Sequence, residues 1–229
     1  MDYALKKEII DYLNQFLTTE RKALFERVLS ERTEYMTLVL EDIYHAQNAS
    51  AVLRTAECHG IQSVHIIENE HKYEVNPKVV IGASKWTKLH HYNELENNTS
   101  NCIQTLKDQG YRIVATSPHP NGISLSEFDV TKGKFALMFG SEKPGLTNEA
   151  IDLADEYITI PMYGFTESYN ISVSAGICCY DMINRLKNSE VNWQLPEEEW
   201  TDLWLDWSRK SLNRPEVMER EFLRSKGLQ

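Results

Sequence analysis

Apolar residues recur along this chain with two different periods. Residues 2–31 carry them at helical spacing in two pieces that break near residues 18–20, which predicts two helices, the second with Thr19 as a candidate cap. From residue 37 onward the apolar residues form short, β-branched-rich runs, which are long enough for buried strands and too short for helices. The predicted strands are residues 37–42, 63–68, 112–117, 135–140 and 156–162.

Helical stretches separate these predicted strands. Residues 46–60 and 99–110 each end on a glycine, and residues 147–154 begin at Thr147, a hydroxyl cap. Residues 171–186 follow the last strand with apolar positions about one turn apart. Because strand and helix alternate, the sequence predicts an α/β fold with a mostly parallel sheet. Ligands in such sheets bind at the carboxyl ends of the strands, which directs attention to the loops there.

Tryptophans mark the C-terminal region. Trp200, Trp204 and Trp207 lie on one face of a predicted helix, which indicates a surface that docks on the core or on another subunit. We expect an N-terminal helical extension (1–33), an α/β core (34–187) and a C-terminal helical extension (188–229).

The composition is that of a globular protein, with 41% hydrophobic and 25% charged residues among 229. A formal net charge of -10 argues against a general polyanion binder, since affinity for phosphate backbones depends on lysine and arginine. The charge is uneven, however, because residues 190–206 carry only acids, whereas residues 209–226 hold six cations and three acids. A local basic surface built from the two ends of the chain is therefore expected if the protein binds nucleic acid.

Membrane and metal chemistry have little support in the sequence. No run of 18 apolar residues occurs, and acids and lysines interrupt the N-terminus, so we expect a cytoplasmic protein without a membrane segment. The four cysteines include no C-x-x-C pair and are interpreted as reduced core thiols, with zinc as the alternative. They are Cys58, Cys102, Cys178 and Cys179. The seven histidines match no metal-ligand pattern, so no metal is expected.

Two stretches carry polar residues that suit either a site or ordinary structure. Asn48 and Arg54 lie outside the apolar stripe of residues 46–60, and their simpler interpretations are a helix cap and a surface arginine. Residues 139–146 form a glycine-proline turn whose backbone amides suit an anion or a nucleoside, although Glu142 there is equally explained as a solvated turn acid. The turn is neither a P-loop nor the dinucleotide G-x-G-x-x-G motif.

A polar cluster also follows the last predicted strand, where Glu167, Ser168 and Asn170 crowd the loop before the helix. Ser168 suggests a nucleophile. The G-x-S-x-G elbow is missing, however, because Thr166 and Asn170 occupy the glycine positions. Acyl transfer therefore has little support.

Three stretches together resemble a known family. "NASAVLRTAECHG", "LMFGSEKPGL" and "IPMYGFTESYNISVSAG" are similar, in order and relative spacing, to the three motifs of the SpoU family of RNA ribose 2'-O-methyltransferases, within the SPOUT superfamily. The resemblance implies an α/β core whose C-terminal segment is threaded as a trefoil knot, a homodimer, and S-adenosylmethionine bound by the knot loops. General topology rules would have argued against a knot.

The resemblance also implies two sets of site residues. The cofactor pocket would be lined by Thr116, Gly140, Ile160, Met162 and Tyr169, the last of which stands where most relatives carry leucine. The polar active-site set would be Asn48, Arg54, Glu142, Ser168 and Asn170. No metal is required for this chemistry.

Each polar residue has an expected role. We expect Arg54 to grip the phosphate beside the target ribose and to stabilise the developing alkoxide, with Asn48 orienting Arg54. The alternative role that the resemblance implies for Arg54 is that of general base. Ser168 and Asn170 would support their loop. Glu142 would hold the second-motif loop or pair with a cation.

The expected substrate is a tRNA 2'-hydroxyl, with guanosine 18 of the D-loop favoured because the flanking segments resemble those of family members with that target. Another tRNA position or ribosomal RNA is the alternative, since the motifs report the reaction and not the nucleotide. Two rivals of other classes are a non-catalytic RNA-binding relative and a dinucleotide oxidoreductase. The complete polar set argues against the first, and the missing glycine motif against the second.

Overall fold

The computed structural model describes residues 1–228, and the chain divides into two compact units. The helical unit contains residues 1–32 and the chain from Gln194 onward, and the sheet unit contains Thr33–Trp193. In chain order the helices are α1 (Tyr3–Leu13), α2 (Thr19–Leu29), α3 (Ala46–Cys58), α4 (Pro77–Val80), α5 (Ala83–Trp86), α6 (Asn98–Asp108), α7 (Asn148–Leu153), α8 (Ile171–Lys187), α9 (Glu197–Ser211) and α10 (Pro215–Ser225). The strands are β1 (Met36–Glu41), β2 (Ser63–Ile67), β3 (Lys88–Tyr92), β4 (Arg112–Thr116), β5 (Ile123–Ser124), β6 (Phe135–Phe139) and β7 (Glu156–Thr159). Short 3₁₀ turns occupy Asn14–Phe16 and Leu125–Glu127.

The helical unit joins the two ends of the chain around an aromatic core. Trp204 and Trp207 are buried, and both rings meet the Phe25 ring edge-on. The indole nitrogen of Trp204 donates to Asn14 Oδ1 at 3.0 Å, which satisfies its one polar atom. The tryptophan face therefore docks on the N-terminal helices of its own chain. The cap of α2 is Thr18, whose hydroxyl accepts from the Arg21 amide, so the expectation for Thr19 is wrong by one residue.

The expected basic surface is partly neutralised within the helical unit. Arg209 donates to both carboxylate oxygens of Glu219, and Lys210 lies 2.7 Å from Asp206. The bond to Glu219 raises the pKa of Arg209 above its ordinary value. In the described part of the chain, Arg214, Arg220 and Arg224 are exposed, and no ion pair is found for their side chains. These three are the cations of the C-terminal region that remain available.

The sheet unit confirms the α/β class and the parallel sheet. Its seven strands follow the order β3-β2-β1-β6-β4-β7-β5, and every neighbouring pair is parallel. All five predicted strands are present within two or three residues of their expected ends. The sequence pattern missed β3 and β5, because β3 is a half-exposed edge strand reading KLHHY and β5 has two residues.

Both faces of the sheet are covered, which is why β1 is buried at all six positions. Leu38 and Leu40 belong to the larger core, to which α3 and α8 contribute. Val39, between them, belongs to the smaller core with residues of α6 and α7. Alternate side chains of one strand thus fill two cores. Gly60 and Gly110, with φ of 79° and 83°, end α3 and α6 as predicted.

The cysteines divide into two groups. Cys102, Cys178 and Cys179 are buried, and burial raises the pKa of Cys178 to about 12, so its thiol stays protonated. Cys58 is exposed at the end of α3, so the expectation of a core position is wrong for this residue. Within residues 1–228, no group of three or more His, Cys, Asp or Glu side chains is arranged to hold a metal ion. None of the helices described combines the length and apolar composition needed to cross a bilayer.

Candidate functional site

The ends of three adjacent strands bring most of the expected cofactor residues together. Strands β6, β4 and β7 are neighbours in the sheet, and Gly140, Thr116 and Ile160 lie at or just beyond their carboxyl ends. Neighbouring strands are about 4.8 Å apart, so the three positions form one short row at the carboxyl-terminal end of the sheet. Thr116 Oγ1 donates to the Met138 carbonyl at 2.7 Å and so links β4 to β6 within this row.

Gly140 is required by the loop that it opens. A Cβ at this position would lie 2.2 Å from the Gly145 carbonyl carbon and 2.2 Å from the Leu146 nitrogen. Both are backbone atoms that cannot move aside like a flexible side chain. Residues 140–146 therefore fold back tightly on themselves, and only glycine permits that approach.

Three polar residues from distant parts of the sequence form one bonded cluster, which we call the Asn–Glu–Asn network. Asn48 Nδ2 donates to Glu142 Oε1 at 2.9 Å, and Asn170 Nδ2 donates to the same oxygen at 2.7 Å. Asn170 Nδ2 also lies 3.3 Å from Asn48 Oδ1. Each member comes from a different one of the three motif stretches, so the fold joins them at one point.

Asn170 is held from both ends of its amide. While its nitrogen donates to Glu142, its Oδ1 accepts from the backbone nitrogen of Ser172 at 2.9 Å and from the Ser172 hydroxyl at 2.6 Å. The residue is the N-cap of α8. The orientation of this side chain is therefore set by the helix, and the helix start is tied to the network.

Two adjacent acids at the end of β1 hold the loops on either side of it. Buried Glu41 accepts from the Thr147 nitrogen and hydroxyl, both at 2.8 Å, and from the Thr99 hydroxyl at 2.6 Å. Thr147 ends the turn that carries Glu142. Asp42 Oδ1 accepts from three successive backbone nitrogens, at residues 69, 70 and 71, within 2.8–3.1 Å. In the sequence, Glu41 and Asp42 are visible only as two acids at the end of an apolar strand, and their anchoring of these loops was not predicted.

Residues 69–76, which we call the anchored loop, are fixed at two further points. The Tyr73 nitrogen donates to Glu68 Oε1 at 2.7 Å, and the Asn76 nitrogen donates to Ser50 Oγ at 2.9 Å. Five backbone amides of this loop are thus bonded to side chains. A segment with little regular structure gains a defined course in this way.

Residues 161–169, which we call the exposed segment, contrast with it. Every one of them is exposed, and the side chains of Tyr163 and Phe165 are essentially completely so. Within the described chain no backbone hydrogen bond is found for these residues. Met162, expected in the cofactor pocket, lies in this segment and is 41% exposed.

Two clefts meet at the Asn–Glu–Asn network. The first cleft, of about 510 Å³, is lined by Ile43, Tyr44, His45, Asn48, Ser141, Glu142, Lys143, Ser168, Tyr169, Asn170 and Ile171. The second cleft, of about 650 Å³, is lined by Tyr44, His45, Ala46, Gln47, Asn48, Lys72, Glu74, Glu142 and Asn170. The network is a wall common to both, so ligands in the two clefts would meet there.

The structure brings together four of the five expected polar residues and leaves one apart. Asn48, Glu142, Ser168 and Asn170 line the first cleft, together with Tyr169 from the cofactor set. Neither cleft is lined by the other four expected cofactor residues, which are Thr116, Gly140, Ile160 and Met162. Tyr44 lines both clefts, and the second cleft adds Lys72 and Glu74; no sequence motif singled out these three residues.

Arg54 lies outside both clefts and is exposed on α3. It follows Asn48 by six residues, which places it about 120° around the helix and about 9 Å along its axis. Asn48 bonds Glu142 in this chain, and the expectation that it orients Arg54 stays a prediction. Glu142 accepts from two amides, and no cation paired with it is found within residues 1–228.

Comparison with known proteins gives consistent matches. A model of the SpoU rRNA methylase family matches residues 35–180. The tRNA (guanosine(18)-2'-O)-methyltransferase of Borreliella burgdorferi is 43% identical over 218 residues, which are 95% of this chain and 97% of the relative. A solved TrmH/SpoU tRNA-modifying enzyme of A. aeolicus superposes with a TM-score of 0.73 at 26% identity, covering 85% of this chain and 98% of that one. The SpoU methyltransferase AviRb of Streptomyces viridochromogenes, solved in complex with AdoMet, shares the fold at a TM-score of 0.59 and 20% identity, over 72% of this chain and 65% of that one.

Proposed function

The chain belongs to the SpoU methylase family, and from that premise we propose that it transfers a methyl group from S-adenosylmethionine to the ribose 2'-hydroxyl of guanosine 18 in the D-loop of tRNA. The observation that carries the proposal is the Asn–Glu–Asn network, which unites the three motif stretches at one point between two clefts. The 43% identity to a guanosine 18 methyltransferase, over nearly the whole of both chains, supports the choice of target.

The residues at the ends of β4, β6 and β7 fit the cofactor. Thr116, Gly140 and Ile160 form a row at neighbouring strand ends, the position at which parallel sheets bind nucleotides. Met162 in the exposed segment and Tyr169 at the first cleft would complete the set, with the Tyr169 ring packing on the adenosine. The bound cofactor supplies an electrophilic sulfonium methyl group.

The network suits the task of holding the ribose hydroxyl. Both amide bonds fall on Glu142 Oε1, and no hydrogen bond to Oε2 is found within residues 1–228. We assign Glu142 Oε2 as the acceptor for the 2'-hydroxyl, with Asn48 and Asn170 fixing the plane of the carboxylate. Positioning of this kind contributes a large part of the rate in transfer reactions. Ser168 supports the same wall of the first cleft.

The decisive experiment is methyl transfer from labelled S-adenosylmethionine to bulk tRNA that lacks modifications, followed by mapping of the labelled nucleotide. We expect label at the 2'-oxygen of guanosine 18. Ribosomal RNA is the parallel substrate, because the matching family model is described by rRNA methylation. Label in rRNA alone would replace the proposed target, and label in neither RNA would favour a non-catalytic RNA-binding relative.

We also propose a homodimer in which the second copy supplies Arg54. Support comes from the exposed segment, whose large side chains Tyr163 and Phe165 are left essentially completely exposed by the described part of the chain. Arg54 lies outside both clefts, so the arginine expected to grip the substrate phosphate does not reach the network from the same chain.

Mixed dimers test this arrangement. Arg54→Ala and Glu142→Ala chains carrying different tags are co-expressed, and the mixed dimer is purified. If Arg54 acts across the dimer, one of the two sites contains both natural residues and about half of the wild-type activity returns. An inactive mixed dimer, with each parent also inactive, would place Arg54 in the site of its own chain.

For tRNA binding we propose the available cations Arg214, Arg220 and Arg224. Arg209 and Lys210, which belong to the same basic region, are held by acids. Replacing Arg220 and Arg224 by glutamine should weaken tRNA binding and reduce the salt dependence of the dissociation constant by about one phosphate contact each. An unchanged salt slope would reject this surface.

Two finer features of the family complete the proposal. We propose the trefoil knot, supported by the TM-score of 0.73 to a TrmH/SpoU enzyme over 85% of this chain. The bond between Glu142 and Asn170, which joins residues 140–146 to the start of α8, is compatible with such threading. We propose the cytoplasm as the location, because its tRNA substrate is found there.

A further inference from the structure

The proposed function assigns no ligand to the second cleft. If the ribose hydroxyl lies at Glu142, the base of the same nucleotide must lie beside the Asn–Glu–Asn network, because one glycosidic bond joins base to ribose. The first cleft is bordered by Ser141, Lys143 and Tyr169 from the loops assigned to the cofactor. The second cleft opens instead toward the anchored loop, at Lys72 and Glu74. It is therefore the place left for the base.

We propose that the second cleft binds the target guanine, with Tyr44 as its stacking surface and Glu74 as the acceptor for its Watson–Crick edge. The inference rests on the proposed function and adds base recognition to it. It predicts that this chain chooses guanosine through its own side chains rather than by position in the tRNA alone.

Tyr44 has the properties of a stacking surface. Its side chain is 68% exposed, and no hydrogen bond to it is found in the described chain. The ring is nonetheless held, because it lies nearly perpendicular to the imidazoles of His45, at 4.8 Å, and His71, at 5.0 Å. Unstacked bases of RNA are commonly received on aromatic side chains of this kind. Tyr44 also lines both clefts, so it lies next to the network.

Glu74 is placed by the anchored loop. The Tyr73 and Asn76 nitrogens on either side of it are bonded to Glu68 and Ser50, and the Tyr73 ring packs against the larger core. Side chains alternate along extended chain, so Tyr73 faces inward while Lys72 and Glu74 are exposed at the cleft. A carboxylate whose backbone is fixed on both sides is prepared for a directional contact.

The chemistry of the free carboxylate selects guanine. Within residues 1–228 no hydrogen bond or ion pair is found for the side chains of Glu74 and Lys72. Guanine alone among the four bases presents two adjacent donors, N1–H and N2–H, and a carboxylate accepts both. Adenine and cytosine each place an acceptor beside their amino group, which would face Glu74 unfavourably. Lys72, two residues away, is available for the phosphate of the same nucleotide.

Binding of paired tRNA transcripts tests the assignment. The transcripts carry guanosine or inosine at position 18, and inosine lacks only the N2 amino group. Dissociation constants are measured by fluorescence anisotropy with S-adenosylhomocysteine present. We expect inosine to weaken binding to the wild type about tenfold, and to weaken binding to Glu74→Gln hardly at all, because that variant has already lost the paired contact.

Glu70→Gln is the matched control. Glu70 is an exposed acid of the same anchored loop and lines neither cleft, so it should discriminate like the wild type. If Glu74→Gln weakened binding of both transcripts by the same factor, Glu74 would not contact the N2 edge and the assignment would be overturned.

Two variants of Tyr44 separate the contribution of its ring from that of its hydroxyl. Tyr44→Ala should weaken binding of the guanosine transcript about tenfold, whereas Tyr44→Phe should retain it. Equal losses in the two variants would reject stacking. Methyl incorporation by the wild type is measured separately. Loss of discrimination with methyl transfer intact would reject guanine binding in the second cleft, whereas discrimination without methyl transfer would reject the proposed function.

Discussion

The loops beside β1 are held by hydrogen bonds to side chains, and within residues 1–228 the segment after β7 is not. Glu41 and Asp42, adjacent in sequence, bond the loops that follow β6 and β2, the two neighbours of β1 in the sheet. In the part of the chain that the structure describes, no such bond is found for the exposed segment, which carries the essentially fully exposed rings of Tyr163 and Phe165. The part of the site that holds the network and the second cleft is thus organised within one chain. The part assigned to cofactor and dimer contacts depends on what binds to it.

The largest effect should come from removing the buried acid of this pair. Glu41→Ala leaves the Thr147 nitrogen and two hydroxyls without their acceptor, which should lower the free energy of unfolding by about 3 kcal/mol. Urea denaturation measures the change. Glu149→Ala is the control, because within residues 1–228 the half-buried Glu149 carboxylate accepts from the Asn97 side chain alone, and its loss should cost well under about 1 kcal/mol. Equal losses in the two variants would remove Glu41 as an anchor.

The network itself should affect the rate. Glu142→Ala removes the acceptor that joins Asn48 and Asn170, and we expect kcat for methyl transfer to fall about 100-fold, the loss typical of a misplaced reacting group. Stability should change little, since Glu142 is exposed. Steady-state kinetics beside a urea denaturation curve separates the two effects. A variant that retained its rate would show that the network is structural.

A smaller effect is expected at the other acid of the pair. Asp42→Ala frees three backbone nitrogens of the anchored loop, but these become partly accessible to water, so we expect about 2 kcal/mol of destabilisation. Asp42→Asn keeps one acceptor oxygen and tolerates the positive φ of 47°, and should cost less than half as much. Hydrogen exchange of residues 69–71 reports the loop directly. Slow exchange in the alanine variant would mean that other contacts hold the loop.

The smallest effect on folding is expected in the exposed segment. Phe165→Ala removes a ring with no buried surface in one chain, so the unfolding free energy of the monomer should change by less than about 0.5 kcal/mol. The proposed dimer should weaken about tenfold or more, which sedimentation at several concentrations measures. Leu95→Ala, at a 57% exposed apolar residue elsewhere in the sheet unit, should leave the dimer unchanged. An unaltered dimer in Phe165→Ala would break the contrast between the two regions.

Local patterns in the sequence determined the elements of this protein. Runs such as residues 135–140 and caps such as Thr147 and Gly60 depend on neighbours a few positions away, so strands, helix ends and the parallel α/β class follow from them. The resemblance of three stretches identified the family and the candidate residues. Edge strand β3 was missed, because its half-exposed residues follow no apolar period.

Only the tertiary structure decided which of those residues meet. Asn48 and Asn170 are 122 positions apart, and their contact through Glu142 depends on strand order and on how α3 and α8 pack, which no local pattern encodes. The same packing leaves Arg54 outside both clefts and brings Tyr44 and Glu74 to the second cleft. Propensities and caps act along the chain, whereas a site requires contacts between segments that only the completed sheet brings together.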